Sequence, residues 1–478
     1  MKNVITSTIL LLALLLPLTA TAYDFAVDGI CYNIHGNEAA VTSSRVTGFL
    51  YIGFSGSLVI PATVTYNETT YPVTSIEAVA FWGSTRLTSI DIPNSVTEIG
   101  QEAFGHCPAL TSIVVESGNP RFDSRNNCNA IIETANNVLI VGCKNTIIPN
   151  SVTEIGNLAF DWCDSLTSIV IPNSVTSIGQ GAFYNCEGLT SINIPNSVTS
   201  IGHGAFAWCT GLTSIVIPNS VTEIGVGVFD DCTGLASIVV ESGNPRYDSR
   251  NNCNAIIETA NNMLIVGCKN TTIPNSVTVI GYWAFYSCEG LTSIDIPNSV
   301  TEIGEGAFYD CTGLASIVIP NSVTYIGAWA FEGCIGLTSV DISNSVTSIG
   351  DSAFYDCGRL TDVYCYIADL SKVSSGKDQF YKRNGSYSGR TLHVLQGTAD
   401  AYRADENWYP YFGKIVEDLF RGDVNCDHEV NIADVNAAIS MILVGNGSTP
   451  AADVNGDGEI NIADINALVD AILNGNMN

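Results

Sequence analysis

The sequence predicts a mainly β solenoid of 23-residue coils with a small all-α module at its C-terminus. Three observations predict it. Proline recurs in 23-residue steps at Pro149, Pro172, Pro195 and Pro218, then at Pro274, Pro297 and Pro320, with Ser343 in the following slot. Within each step apolar residues alternate, as Ile215 and Ile217 do in "LTSIVI", which sets them on one face of a strand. Two twelve-residue loops dense in Asp and Asn, 30 residues apart, each precede apolar residues at helical spacing.

The first element is a leader. Lys2, an apolar stretch over residues 4–18 and the triplet Ala20-Thr21-Ala22 form the pattern of a cleavable signal peptide over residues 1–22. That stretch is short for a membrane span and no other segment reaches 18 apolar residues. The expectation is a secreted chain, extracellular or cell-surface associated, without membrane insertion. Hydrophobic residues make up 46% of the 478, enough for a sizeable core, whereas only 14% are charged. The net charge of −29 disfavours nucleic acid as a partner, because phosphate repels it.

The solenoid is expected over residues 23–365. In the unit "LTSIVIPNSVTEIGVGVFDDCTG" (212–234), Pro218 ends the first strand because it has no N–H for the ladder. Val221 and Ile224 begin a second apolar edge, Gly225 permits a turn, and Phe229 with Cys232 closes the coil inward. One unit cannot bury its own apolar side, but stacked units can. Two steps are 56 residues long, Pro93 to Pro149 and Pro218 to Pro274, and their extra text is nearly the same. Residues 116–146 match 241–271 except for Phe122 against Tyr247 and Val138 against Met263, so a 125-residue duplication overlies the shorter repeat.

Sixteen cysteines in an exported chain would ordinarily suggest disulfides. Here Cys163, Cys186, Cys209 and Cys232 are 23 apart, as are Cys288, Cys311, Cys334 and Cys357, and Cys107 fills the same slot. In-register side chains point the same way, which suits buried thiols better than bridges. Cys128 with Cys143, and Cys253 with Cys268, flank a possible hairpin, and both a disulfide and free thiols remain open there.

These units resemble the leucine-rich repeats of bacterial surface proteins called BspA-like, with their I-P-x-x-V-x-x-I-G-x-x-A-F-x-x-C pattern. The ordinary leucine-rich repeat places an Asn ladder where Pro, Asn, Ser and Val stand here. "YDFAVDGICYNI" and "YPVTSIEAVAF" resemble that family's atypical first coil. Residues 366–420, where the repeat text fades around "TLHVL" and "TADAYRAD", are expected to cap the last apolar layer.

The terminal loops are "DVNCDHEVNIAD" (423–434) and "DVNGDGEINIAD" (453–464). Oxygen-bearing side chains fall at positions 1, 3, 5, 9 and 12: Asp423, Asn425, Asp427, Asn431 and Asp434, then Asp453, Asn455, Asp457, Asn461 and Asp464. Position 7 adds a backbone carbonyl, from Glu429 and Glu459. Such alternation suits a hard cation that takes six to eight oxygens, so two Ca²⁺ ions are expected. Gly458 supplies the bend at position 6; His428 stands there in the first loop, which predicts a weaker site. Val435, Ile439, Ile442 and Leu443 repeat at helical spacing, as do Ile465, Val469, Ile472 and Leu473.

Paired loop-helix units with Asp at position 12 resemble a dockerin, expected over residues 421–478. The resemblance implies a cohesin-like partner recognised through positions 10 and 11, which are Ile432-Ala433 and Ile462-Ala463, where many cellulosomal dockerins have Ser-Thr. No hydrolytic signature occurs: G-x-S-x-G is absent, and "HEVNI" lacks the second His of a zinc protease. The outward strand slot (Asp91, Val114, Val170, Asn193, Val216, Val239, Asp295, Val318, Asp341) and an edge of aromatics near "AF" vary between copies, which suits binding of host protein or glycan. The function expected is non-catalytic recognition, with attachment through the dockerin. The alternative is an accessory component of a polysaccharide-degrading complex.

Overall fold

The computed structural model describes residues 23–43, 45–46, 50–51, 53–383, 386–419, 421–424, 430–444, 450–457 and 459–474. The expected signal peptide lies outside them. The chain forms two compact units, Met1–Leu212 with Glu223–Val228, and Thr213–Thr222 with Phe229–Asn478. Both are mainly β, and the long helices are confined to the C-terminal segment.

In the first unit, strands Phe25–Val27, Ile30–His35 and Glu38–Thr42 run antiparallel, and the last of them pairs parallel with Thr69–Ile76. The first long step folds as an antiparallel hairpin, Ile131–Glu133 with Val138–Val141. From there the chain is a parallel ladder: Glu154–Ile155, Ser177–Ile178, Ser200–Ile201 and Glu223–Ile224 pair in turn, with Ile155 opposite Ile178 and Ile178 opposite Ile201. The register equals the sequence repeat, so equivalent positions of successive coils stack.

The second unit repeats this plan. Hairpin Ile256–Glu258 with Met263–Val266 leads into a parallel ladder through Val279–Ile280, Glu302–Ile303, Tyr325–Ile326, Ser348–Ile349 and Ser374–Ser375. The "LTSIVI" text forms a strand at Ser214–Ile217, paired with Ser237–Val240; Ile215 and Ile217 are buried and Val216 is exposed. In the coils at 167–171 and 190–194 the same text makes a single bridge, Val170 to Asn193, and the continuous ladder there is the short "EI" or "SI" strand. In the segment expected as a cap the sheet runs on. Thr391–Leu395 pairs with Asp362–Cys365, and Lys414–Leu419 pairs with Thr391–Leu395. Phe380 stacks on Phe354 at 5.2 Å, and Trp408 and Phe412 cover Phe380.

Phenylalanines form the spine of each core. Phe160, Phe183 and Phe206 stack at 5.1 and 5.4 Å in the first unit; Phe285, Phe308, Phe331 and Phe354 stack at 4.9, 5.2 and 5.1 Å in the second. The glycine of "IG" is dictated by coil spacing: a Cβ on Gly202 would lie 2.5 Å from the Gln180 nitrogen of the preceding coil. All fifteen described cysteines are free, including Cys128, Cys143, Cys253 and Cys268. The thiols of Cys143 and Cys268 donate instead to the carbonyls of Asn129 and Asn254, each at 3.3 Å.

Candidate metal centre

The C-terminal segment carries two helices, α1 (Ile432–Val444) and α2 (Ile462–Asn474), packed on each other around Val424, Val435, Ala438, Ala452, Ile465 and Leu468. Only part of the sequence stripe is buried. Val435 and Ile465 face this core, but Leu443 and Leu473 are 79% and 77% exposed, and Ala438 and Leu468 take the inward places.

Each helix starts with N-I-A-D, and this tetrapeptide has two roles. Asn461 Oδ1 accepts from the Ala463 N–H at 2.7 Å, while Asp464 Oδ2 accepts from the Asn461 N–H at 2.9 Å. The first loop repeats the pair, Asn431 Oδ1 with the Ala433 N–H and Asp434 Oδ2 with the Asn431 N–H, both at 2.8 Å. This is the reciprocal logic of a capping box, and it satisfies amides that a helix start leaves orphaned. The alternation of oxygen-bearing side chains marks these residues as ligands and does not by itself show the cap. The spacing of a capping Asn three residues before an acid would have signalled it.

The second loop brings its acids together. Asp453, Asp457 and Asp464 each offer a carboxylate oxygen, and these oxygens lie within 4.8 Å of one another. Asp453 and Asp464 are 0% and 1% exposed. Backbone amides hold them in place: Gly456 and Asp457 donate to Asp453 Oδ1 at 2.7 and 3.1 Å, and Asn455 donates to Asp464 Oδ1 at 3.2 Å. Asn455 Oδ1 accepts from the Asp457 N–H at 2.8 Å, and Glu459 donates its N–H to Asp457 Oδ1 at 2.9 Å. Every donor is oxygen, and the like charges converge in a partly dry place, a set that fits a hard divalent cation. Arg421 lies against Gly456 at the loop's flank, but makes no ion pair among the described residues. In the first loop Asp423, Asn431 and Asp434 are described, and Asp434 Oδ1 accepts from the Val424 N–H at 2.7 Å. Asn425, Asp427, His428 and Glu429, like Gly458 of the second loop, lie outside the described residues.

The variable solenoid positions divide into distinct slots. Val114, Val170, Val216, Val239 and Val318 are exposed on the strand face, alongside Asp91, Asn193 and Asp295. The aromatics fall into separate columns. Tyr184, Tyr286, Tyr309 and Tyr355 follow the core Phe, Trp162 and Trp208 precede the Cys, and Trp283 and Trp329 precede the Ala. All four tryptophans have φ between 54° and 63°. That left-handed region strains a bulky side chain; Gly, Asn or Asp fills the same slots in several other coils, and Glu102, His106, Leu158, Ser287 and Ser352 stand there in others.

Two family matches agree with this architecture. The BspA type leucine rich repeat region matches in six copies, over residues 62–134, 140–255 and 264–383. The dockerin type I domain matches residues 421–473. Among solved structures, a leucine rich cell surface protein from Faecalibacterium prausnitzii is 28% identical with a TM-score of 0.49, covering 84% of this chain and 96% of its own. A leucine-rich repeat protein from Bacteroides ovatus is 26% identical with a TM-score of 0.36, covering 82% and 100%. The pneumococcal vaccine antigen PcpA is 20% identical with a TM-score of 0.47, covering 84% and 100%. A search of curated proteins found no match.

Proposed function

From the premise that this chain belongs to the BspA-type leucine-rich-repeat family and ends in a type I dockerin domain, we propose that it is a secreted, non-catalytic recognition protein moored by calcium. Repeats of this type and dockerins are binding and assembly domains; dockerins bind calcium and dock onto cohesins. Proteins built from them are typically extracellular or at the cell surface, and no described helix is long and apolar enough to cross a membrane.

The observation that carries the reading is the convergence of Asp453, Asp457 and Asp464. In the proposal these residues, with Asn455, Asn461 and the Glu459 carbonyl, hold one Ca²⁺. Asp423, Asn425, Asp427, Asn431, Asp434 and the Glu429 carbonyl hold a second. The ion supplies the charge that lets the loop acids stay gathered, and the helix starts are then fixed by their own caps. Docking is supported by paired exposed apolar groups: Ile432 and Ile462 at position 10 are 65% and 68% exposed, with Leu443 and Leu473 at the far helix ends. An apolar face duplicated on two helices suits a partner surface better than bare solvent. The solenoid then displays its variable slots to a host protein or a glycan.

The test is calorimetric titration of calcium into the intact chain, followed by capture on immobilised cohesins with and without chelator. Two binding events are expected, and Asp453→Asn should weaken one of them by at least about tenfold. Failure to bind calcium would remove the mooring from the proposal. The dockerin also supports a second reading, in which the solenoid holds polysaccharide for a degrading complex; retention on insoluble polysaccharide would favour it.

A further inference from the structure

A second site lies in the first unit, and its role rests on reading the repeats as a recognition surface. In ordinary coils the Phe N–H donates to the Ala carbonyl of the next coil, as Phe160 does to Ala182. In the first long step Gly142 makes that bond, to Ala159, and so occupies the Phe slot; a Cβ there would overlap the Phe160 ring. The column of A-F turns is therefore interrupted between Phe104 and Phe160. Beside the interruption is a cleft of about 320 Å³ lined by Glu102, Leu158, Asp161, Trp162, Tyr184 and His203. A smaller cavity of about 220 Å³ shares Glu102, Leu158 and Asp161 with it.

Asp161 is the odd member. It is only 8% exposed, yet its carboxylate accepts no hydrogen bond from any described residue and lines both cavities. Its Oδ2 passes over Gly105, where a Cβ would lie 3.2 Å away. Burial, with Glu102 and Asp164 nearby, pushes it up to about 7. No Lys or Arg lines the larger cleft. Arg121, in the smaller cavity, is committed to Glu133 at 3.0 Å and to the Thr97 carbonyl at 3.1 Å. Aromatic faces adjoin the acids: Trp82, His106, Trp162 and Tyr184 follow one another at centroid distances of 5.6, 5.1 and 6.5 Å.

We propose that this cleft receives a Lys or Arg side chain from a basic segment of a partner protein, with Glu102 and Asp161 as counter-charge and Trp162 and Tyr184 as ring walls. Charge decides between ligand classes. A neutral sugar could meet the rings and accept or donate hydrogen bonds, but it would leave two neighbouring carboxylates uncompensated. An ammonium or guanidinium compensates them and is attracted to the ring faces as well. The net charge of −29 draws the same partner in.

The experiment uses the intact chain and three probes: a blocked peptide containing Lys and Arg, the same peptide with both replaced by Gln, and a neutral oligosaccharide. The basic peptide should bind, more weakly as salt is raised, and the Gln peptide should not. Asp161→Asn and Glu102→Gln should each weaken binding about tenfold. Trp162→Gly, which suits the left-handed backbone, should weaken it while leaving the melting temperature at or above that of the parent. Asp91→Asn, on the strand face, should change nothing and so separates local charge from net charge. Equal affinity in Asp161→Asn and Glu102→Gln, or no binding of the basic peptide by folded protein, overturns the proposal. Oligosaccharide binding that needs Trp162 but not Asp161 also overturns it, and would leave the recognition surface itself standing.

Discussion

Cys186, Cys209, Cys311, Cys334 and Cys357 each donate a thiol hydrogen to the carbonyl of the Phe 26 residues earlier, at 3.1 to 3.2 Å. These five thiols thus tie their coils to the preceding ones through a weak but repeated bond. Burial pushes the thiols of Cys107, Cys209 and Cys357 up to about 12. They are protonated at neutral pH, and a thiol reagent should label them only as the chain unfolds. The pH dependence follows from the sign of the shift. Between the ordinary thiol value of 9.0 and about 12 the folded state holds protons that the unfolded state has lost, so stability is complete below 9 and falls as pH rises above it. Each such thiol contributes at most about 1.4 kcal/mol per pH unit to that fall. Denaturant melts at a series of alkaline pH values would check this. Cys334→Ala should cost about 1 kcal/mol, with Cys334→Ser milder because a hydroxyl can keep the bond. The sequence revealed the column and its burial, because period and residue type are local facts. The Phe carbonyl acceptor was not legible, since it depends on how far each coil is offset from the next.

At the scale of the coil, sequence and structure agree on what repeats and differ on which strand is continuous. Proline closes the longer apolar run, and the two-residue strand after the turn carries the ladder through every coil from Glu154 to Ser200. The close approach of those strands predicts that Gly202→Ala destabilises the first unit by about 1–3 kcal/mol, because backbone and not a flexible side chain would have to give way. Phe308, buried between Phe285 and Phe331, should cost about 3–5 kcal/mol when replaced by Ala. Chemical denaturation of the two variants would measure both effects. The Asp161 cleft shows the limit of reading coils one by one. Asp161, Gly142 and Gly105 are unremarkable letters in their own repeats, and the cleft is lined by residues of different coils, Glu102, Leu158, Asp161, Tyr184 and His203, that only stacking brings together.

Across the whole chain, charge and order are linked at the C-terminus. Residues 417–478 carry eleven acids and Arg421 as their one Lys or Arg, so the segment repels itself unless cations enter the loops. With calcium at a hundred times its dissociation constant, a single site should stabilise the helix pair by about 2.7 kcal/mol; chelator should remove that increment and lower the temperature at which α1 and α2 melt. Circular dichroism of the intact chain, with and without chelator, would report it. The loop spacing made the gathering of Asp453, Asp457 and Asp464 legible here, whereas the outward turn of Leu443 and Leu473 was not, because helical period alone cannot say which side has a neighbour.

The thiol column also sets an order of events. While the chain is unstacked its cysteines are exposed, and in an oxidising medium any two thiolates that meet can be joined. Once stacked, most of these sulfurs are shielded, and those of Cys186, Cys209, Cys311, Cys334 and Cys357 are aimed at carbonyls. In such a medium a nascent molecule would be in a race, and one that stalled half-assembled would be locked by mismatched cross-links into a shape its repeats could no longer correct.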